Sequence, residues 1–253
     1  MLSELLSLNL FGFFLIFVRV GAAFSTLPGF SATYVSIRIR LLIALTVSFV
    51  LAPLLIPLLP LPPATALGLG VLVISEVIIG GFFGALGRIT MGALHTAGTV
   101  VSYTASLANA FITDPIAEQQ GSILSGFLTT VGIVVVFVTD MHHLMLRAVA
   151  ESYVIFHPGE ALQLGDFAHM IARHVMDSFK LGVQLASPFI LVGITHFLML
   201  GILGRLMPSL PVFFFGLPIQ IATQITVMAL TLSGIMLAFS THFGDVFGAF
   251  VAP

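Results

Sequence analysis

The chain contains no cysteine. That absence removes disulfides, thiolate nucleophiles and every metal or iron–sulfur site built on thiolates, and it leaves the redox compartment open. Charge is nearly as scarce. Only 7% of the 253 residues are charged, against about 25% in soluble domains. The eight Lys and Arg residues are scattered singly or in one pair, and the net charge is −2. Phosphate binding needs clustered bases, so nucleic acid is excluded as a partner. No GxSxG, Walker loop or Rossmann glycine fingerprint is present, which argues against a nucleotide enzyme or a serine hydrolase. The first residues lack a positive region and carry Glu4. They read as the start of a first span rather than a secretory leader.

What is abundant is apolar sequence. Hydrophobic residues make up 58% of the chain, and mean hydropathy is +1.18. An integral membrane protein is the direct reading. Crossing a bilayer core takes about 20 apolar helical residues. Six stretches meet or approach that length, roughly 5–24, 41–59, 67–87, 122–139, 181–203 and 212–239. Residues 89–111, rich in Gly, Ala, Ser and Thr, form a weaker seventh candidate. These runs are apolar all round and longer than barrel strands, so helices are expected. The fold class is all-α and polytopic, with 1–253 as one domain.

Arg38 and Arg40, Arg88, and Arg205 fall in the first, third and fifth presumed loops, while PLLPLPPATA has no base. The positive-inside rule places those three loops in the cytoplasm and both termini outside. Arg147, Arg173 and Lys180 in 140–180 vote the other way. That region predicts two amphipathic helices. One ends at His157-Pro158-Gly159; the second starts near Asp166 and runs into the fifth span.

Glu76 lies inside an apolar span, where an ionisable group costs at least about 2.5 kcal/mol unless paired or wetted. It reads as a proton or ion site, or as a structural contact to Arg19, Arg88 or another subunit. Gly80 and Gly84 follow at close-packing spacing. Arg19 lies inside the end of the first span, where it can snorkel or pair, and the Pro28-Gly29 stop follows. Asp140 and His143 share a helix face, but His142 and His143 are adjacent and diverge by about 100°. A shared metal is therefore not expected, and no catalytic residue, cofactor or metal is assigned. Pro208, Pro211 and Pro218 interrupt an apolar region around Phe213, Phe214 and Phe215. Ordinary kinks are one reading. A wedge or re-entrant hairpin at a subunit interface or pore is the other.

The polar stretch SLANAFITDPIAEQQG, residues 106–121, interrupts this apolar chain. Asn109, Thr113 and Asp114 tolerate water. Phe111 and Ile112 can close a narrow pore by dewetting. Asp114-Pro115 disfavours helix before the proline. A cytoplasmic loop between spans and a loop lining a wet cavity both fit.

The order FVRVGAAFSTLPGFS, RIRLLIAL, SEVIIGGFFG, SLANAFITDP, DMHHLMLRAVAESYVIFHPG and GRLMPSLPVFFFGLPIQI resembles the FliR family of flagellar type III export proteins, along essentially the whole chain. One departure is Ser209-Leu210-Pro211, where the family often has Gln-Leu-Asn. The resemblance implies a core subunit of the flagellar export gate. Such a subunit sits in the bacterial inner membrane at the flagellar basal body and has no enzyme activity. It joins FliP-like and FliQ-like subunits in a screw-like assembly of helical hairpins, near FlhB-like and FlhA-like proteins, and passes unfolded flagellar substrates. Many apolar helices in such an assembly are buried in protein rather than in lipid. The resemblance also implies a pore plug carried by Ser106, Asn109, Phe111, Ile112, Thr113, Asp114 and Pro115. Three alternatives remain at this point: an injectisome (SctT-like) subunit and, from other classes, a secondary transporter using Glu76 and an intramembrane metalloenzyme at Asp140 and His143.

Overall fold

The computed structural model describes residues 2–32, 34–107, 111–113, 120–160, 162–207 and 211–251. Seven α-helices dominate them: α1 (Leu2–Thr26), α2 (Ile37–Leu55), α3 (Ala66–Thr104), α4 (Ile123–Val138), α5 (Met141–Ile155), α6 (Leu164–Leu206) and α7 (Val212–Gly248). A 3-10 turn at Ile56–Leu58 follows α2. Between α3 and α4, β1 (Phe111–Thr113) pairs antiparallel with β2 (Gln120–Ser122), with Phe111 opposite Ser122, Ile112 opposite Gly121 and Thr113 opposite Gln120. Within the polar interruption, residues 111–113 and 120–122 thus form a small ribbon in a helical fold.

Helix ends follow local chemistry. The Ser36 hydroxyl accepts from the Ile39 N–H at 3.4 Å and caps α2, satisfying one free donor of its first turn. α1 stops ahead of Pro28, and Gly29 takes φ +83°, a left-handed value suited to a residue without Cβ. α5 ends before His157-Pro158-Gly159, as the sequence predicts.

Among the described residues, five helices are long and apolar enough to cross a membrane, or six if α4 and α5 count as one span. The expected spans 67–87 and 89–111 are not separate: the first and residues 89–104 of the second belong to α3, whose 39 residues are continuous. The dip in apolarity near Arg88 does not break the helix, because no proline lies between 66 and 104 and glycines cost only about 1 kcal/mol each. Arg88 is therefore an exposed mid-helix residue and not a loop residue. Its vote on orientation falls away. The 181–203 stretch lies largely in the C-terminal half of α6, which runs from the amphipathic start to Arg205 in its last turn. Likewise α7 is one helix with Pro218 inside it. At 1.5 Å per residue α3 is about 58 Å long, close to twice the ~30 Å hydrocarbon core.

The chain forms two compact units. Unit 1 comprises Met1–Ile89, Val136–His174 and Phe243–Pro253; unit 2 comprises Thr90–Val135 and Val175–His242. Unit 1 has an aromatic core in which Phe82 meets Phe83, Phe156, Phe167 and Phe250 edge-on, at centroid distances of 5.5, 6.4, 4.8 and 6.0 Å. Such edge-to-face pairs add about 0.5–1.5 kcal/mol each beyond area burial. In unit 2 the buried side chains include Leu94 and Val101 of α3, Leu128 of α4, Phe189 of α6 and Phe239 of α7. A Cβ on Gly98 would collide with the backbone of Ser125, so α3 and α4 pack backbone to backbone there, as small residues allow. Large apolar side chains also face outward, among them Phe49, Leu191, Leu230 and Leu237, each at least 70% exposed. Apolar exposure on that scale marks a surface for lipid or for partner subunits.

Candidate functional site

Polar side chains are few, so their placement identifies the organised parts of the molecule. In unit 1 the fully buried Arg19 of α1 meets the fully buried Glu76 of α3. The contact is bidentate: Nε donates to Oε2 at 2.6 Å and an η nitrogen to Oε1 at 3.0 Å. The same guanidinium donates to the Ser152 hydroxyl at 3.0 Å and to the Phe156 carbonyl at 3.1 Å, and its carbon lies 3.8 Å from the Tyr153 ring centroid. Of the partners weighed for Glu76, Arg19 is the one in contact. Four hydrogen bonds and a ring face share the desolvated cation, as a buried charge requires. The arrangement ties α1, α3 and α5 together. With both carboxylate oxygens engaged by Arg19, nothing here favours a transport role for Glu76.

Gly80 and Gly84 make this pair possible. A Cβ on Gly80 would overlap the Arg19 carbonyl, and one on Gly84 would overlap the Thr26 side chain. The two glycines, four residues apart on one face of α3, let α1 approach to backbone contact. That closeness brings Arg19 within reach of Glu76, one turn earlier.

Unit 2 holds a second polar node, where α3 gives way to the ribbon. Ser106 has φ 60°. The Leu107 N–H reaches the Ser102 carbonyl at 2.9 Å and the Ser106 N–H reaches Tyr103 at 3.3 Å. This is a Schellman-type ending with serine where glycine is usual. Gln220 of α7, 1% exposed, holds it in place. Its Nε2 donates to the Thr104 carbonyl at 2.5 Å, and its Oε1 accepts from the Ser106 hydroxyl at 3.3 Å. One turn on, Gln224 donates to the Phe189 carbonyl at 3.1 Å. On the far side of the ribbon, the Ser122 hydroxyl accepts from the Ser125 N–H at 3.2 Å and caps α4.

Of the residues expected to plug a pore, Ser106 is thus fixed at the root. Phe111, Ile112 and Thr113 form β1, while Asn109, Asp114 and Pro115 lie outside the described residues. Sequence reasoning did not single out Gln220 and Gln224. Two amides four apart in an apolar helix were the available signal. In the proline-rich segment, Pro211 immediately precedes α7, and Phe214 and Phe215 of its first turn are 81% and 66% exposed. Pro208 lies outside the described residues, as does the Phe213 side chain. Asp140, His142 and His143 gather at the start of α5.

Residues 10–246 match the family model described as bacterial export proteins, family 1. The chain belongs to this family. Among its relatives is the flagellar biosynthetic protein FliR of Caulobacter vibrioides, 37% identical over 236 residues, covering 93% of this chain and 94% of that protein. The FliR of Pectobacterium carotovorum is 30% identical over 237 residues, 93% of this chain and 89% of that protein. That of Escherichia coli is 28% identical over 235 residues, covering 91% and 87%. In this member of the export-protein family, no enzyme constellation accompanies the two polar nodes among the described residues. Both nodes join helices and bind backbone carbonyls, which is structural chemistry.

Proposed function

We propose that the chain is a core subunit of the flagellar type III protein export gate. It resides in the bacterial inner membrane at the flagellar basal body and builds, with FliP-like and FliQ-like subunits, a gated channel for unfolded flagellar proteins. FlhB-like and FlhA-like proteins are its further neighbours. The observation that carries this reading is the family match from residue 10 to 246, joined by relatives aligned over nearly their whole length that are flagellar biosynthetic proteins. Helices about twice as long as a bilayer is thick, with outward apolar faces, support an assembly in which much of that surface meets other subunits. Energy comes from elsewhere, because no nucleotide motif is present.

Within the gate, Ser106–Pro115 acts as the plug. A short ribbon rooted on Gln220 suits a closure that must hold without substrate and yield to it. The proline-rich start of α7, with Phe214 and Phe215 outward, serves as an interface wedge.

Deleting the gene in a flagellated host should abolish filament assembly and motility, and a tagged copy should restore both and co-purify with FliP-like and FliQ-like subunits. Normal motility in the deletion strain, or a complementing tagged copy that brings neither FliP-like nor FliQ-like subunits with it from that host, discards the proposal. Loss of injectisome secretion with motility intact points to the virulence-type apparatus instead. Replacing Phe111 and Ile112 with glycine should make the assembled membrane ion-leaky. Unchanged conductance with normal secretion removes the plug assignment while leaving the gate.

A further inference from the structure

The start of α5 carries a cluster that the export reading does not use. Asp140, His142 and His143 each offer a donor atom, and the three atoms lie within 4.8 Å of one another. Adjacent histidines on a regular helix diverge by about 100°, which was the ground for expecting no shared metal. Here the two imidazoles come together instead, with centroids 4.1 Å apart and planes tilted by 37°. Asp140 sits in the left-handed region, φ 58°, just ahead of α5, and Phe137 stacks on His142 at 5.0 Å and 21°, holding that ring from behind.

Two further observations point to a ligand. The Nδ1 of His142 is shut off from solvent and has no hydrogen-bond partner among the described residues. The His143 Nδ1 is 3.4 Å from Asp140 Oδ1, too long for a good hydrogen bond but close to the separation of two donors on one tetrahedral ion with bonds of about 2.0–2.1 Å. An ordinary His–Asp pair accounts for His143 and leaves His142 unexplained.

We propose that Asp140, His142 and His143 form a binding site for a zinc-class divalent cation. Two imidazoles and a carboxylate match borderline transition ions and not the all-oxygen preference of calcium or magnesium. Three protein ligands leave the fourth position to water. His142 is the fixed ligand against Phe137. Asp140 and His143, 76% and 69% exposed at the side chain, close the small remaining distance by rotation. A bound ion clips the first turn of α5 and holds Asp140 in its left-handed conformation, a structural role independent of the export reading.

The test uses the full chain purified in detergent without a polyhistidine tag and titrated calorimetrically with zinc chloride. One ion per chain is expected. Asp140→Asn and His143→Ala alter exposed side chains, and asparagine tolerates the left-handed backbone as aspartate does, so both should fold with unchanged melting temperature in chelator. Each should weaken binding by about tenfold or more, since losing even an outer partner of a metal ligand costs that much. Zinc should raise the melting temperature of the native chain and leave that of His143→Ala unmoved. Cobalt(II) should give a four-coordinate visible spectrum that vanishes in the variants. Absence of zinc binding overturns the proposal. So does binding of equal affinity in native and variant chains, which would be adventitious capture by the other histidines.

Discussion

The Nε of Arg19 stands 2.6 Å from Oε2 of Glu76, with both side chains wholly out of solvent. Removing one member of such a pair leaves the other charge buried and uncompensated, at a cost of about 3–5 kcal/mol. Replacing both with apolar residues of similar size can be nearly neutral. Arg19→Met and Glu76→Leu should each lower the melting temperature and membrane abundance sharply, and the double variant should recover much of the loss. Near-neutral single variants would show that the pair does not hold α1 to α3.

Gly80 and Gly84 should respond differently to the same methyl group. At Gly80 the obstacle is the Arg19 carbonyl, which is backbone; at Gly84 it is mainly the Thr26 side chain. Gly80→Ala must push α1 away, an overpacking cost of about 1–3 kcal/mol or more. It should weaken the Arg19–Glu76 pair as well. Gly84→Ala should be milder and should be rescued by Thr26→Gly. Thermal unfolding in detergent compares them; equal losses at both sites, or no rescue, would contradict the close approach.

Gln220→Leu strips the Thr104 carbonyl and the Ser106 hydroxyl of their partner. Unsatisfied buried groups cost about 1–3 kcal/mol, and here the loss falls on the root of the ribbon. The native chain has no cysteine, so a single cysteine at the fully buried Ala105 reports alone. Its thiol should label faster in the Gln220→Leu background. An unchanged labelling rate would mean that Gln220 does not hold the reversal.

The ribbon's register is open to direct measurement. Phe111 faces Ser122 across the pair, and a one-residue slip would send every side chain to the other face. Phe111→Cys with Ser122→Cys should cross-link on mild oxidation far more readily than Phe111→Cys with Gly121→Cys. The reverse order would place the strands in another register.

Helix type was legible in the sequence because the apolar runs are long and apolar on every side. Helix extent was not. Hydropathy dips around Arg88 and along the Gly- and Ser-rich 89–111, yet small residues that fail as a lipid-facing span are what a helix needs where Gly98 touches Ser125. Glu76 announced itself as a costly residue. Its partner lies 57 positions away, beyond any periodicity, and was one of several options until the helices were in place. Gln220 and Gln224 were visible but unremarked, since what matters in them is the carbonyls they reach. The meeting of the His142 and His143 rings lies in their side-chain rotamers, which residue spacing along a helix does not specify.

The division of the chain into units bears on how it is made. All of unit 2 lies between residues 90 and 242, whereas unit 1 recruits Phe243–Pro253. Phe250 of that segment touches both Phe82 and Phe83. A ribosome therefore finishes every residue of unit 2 while unit 1 still lacks part of its aromatic core. Until Phe250 is added, Phe82 and Phe83 each lack one of their edge-on neighbours, so the packing of unit 1 is completed last.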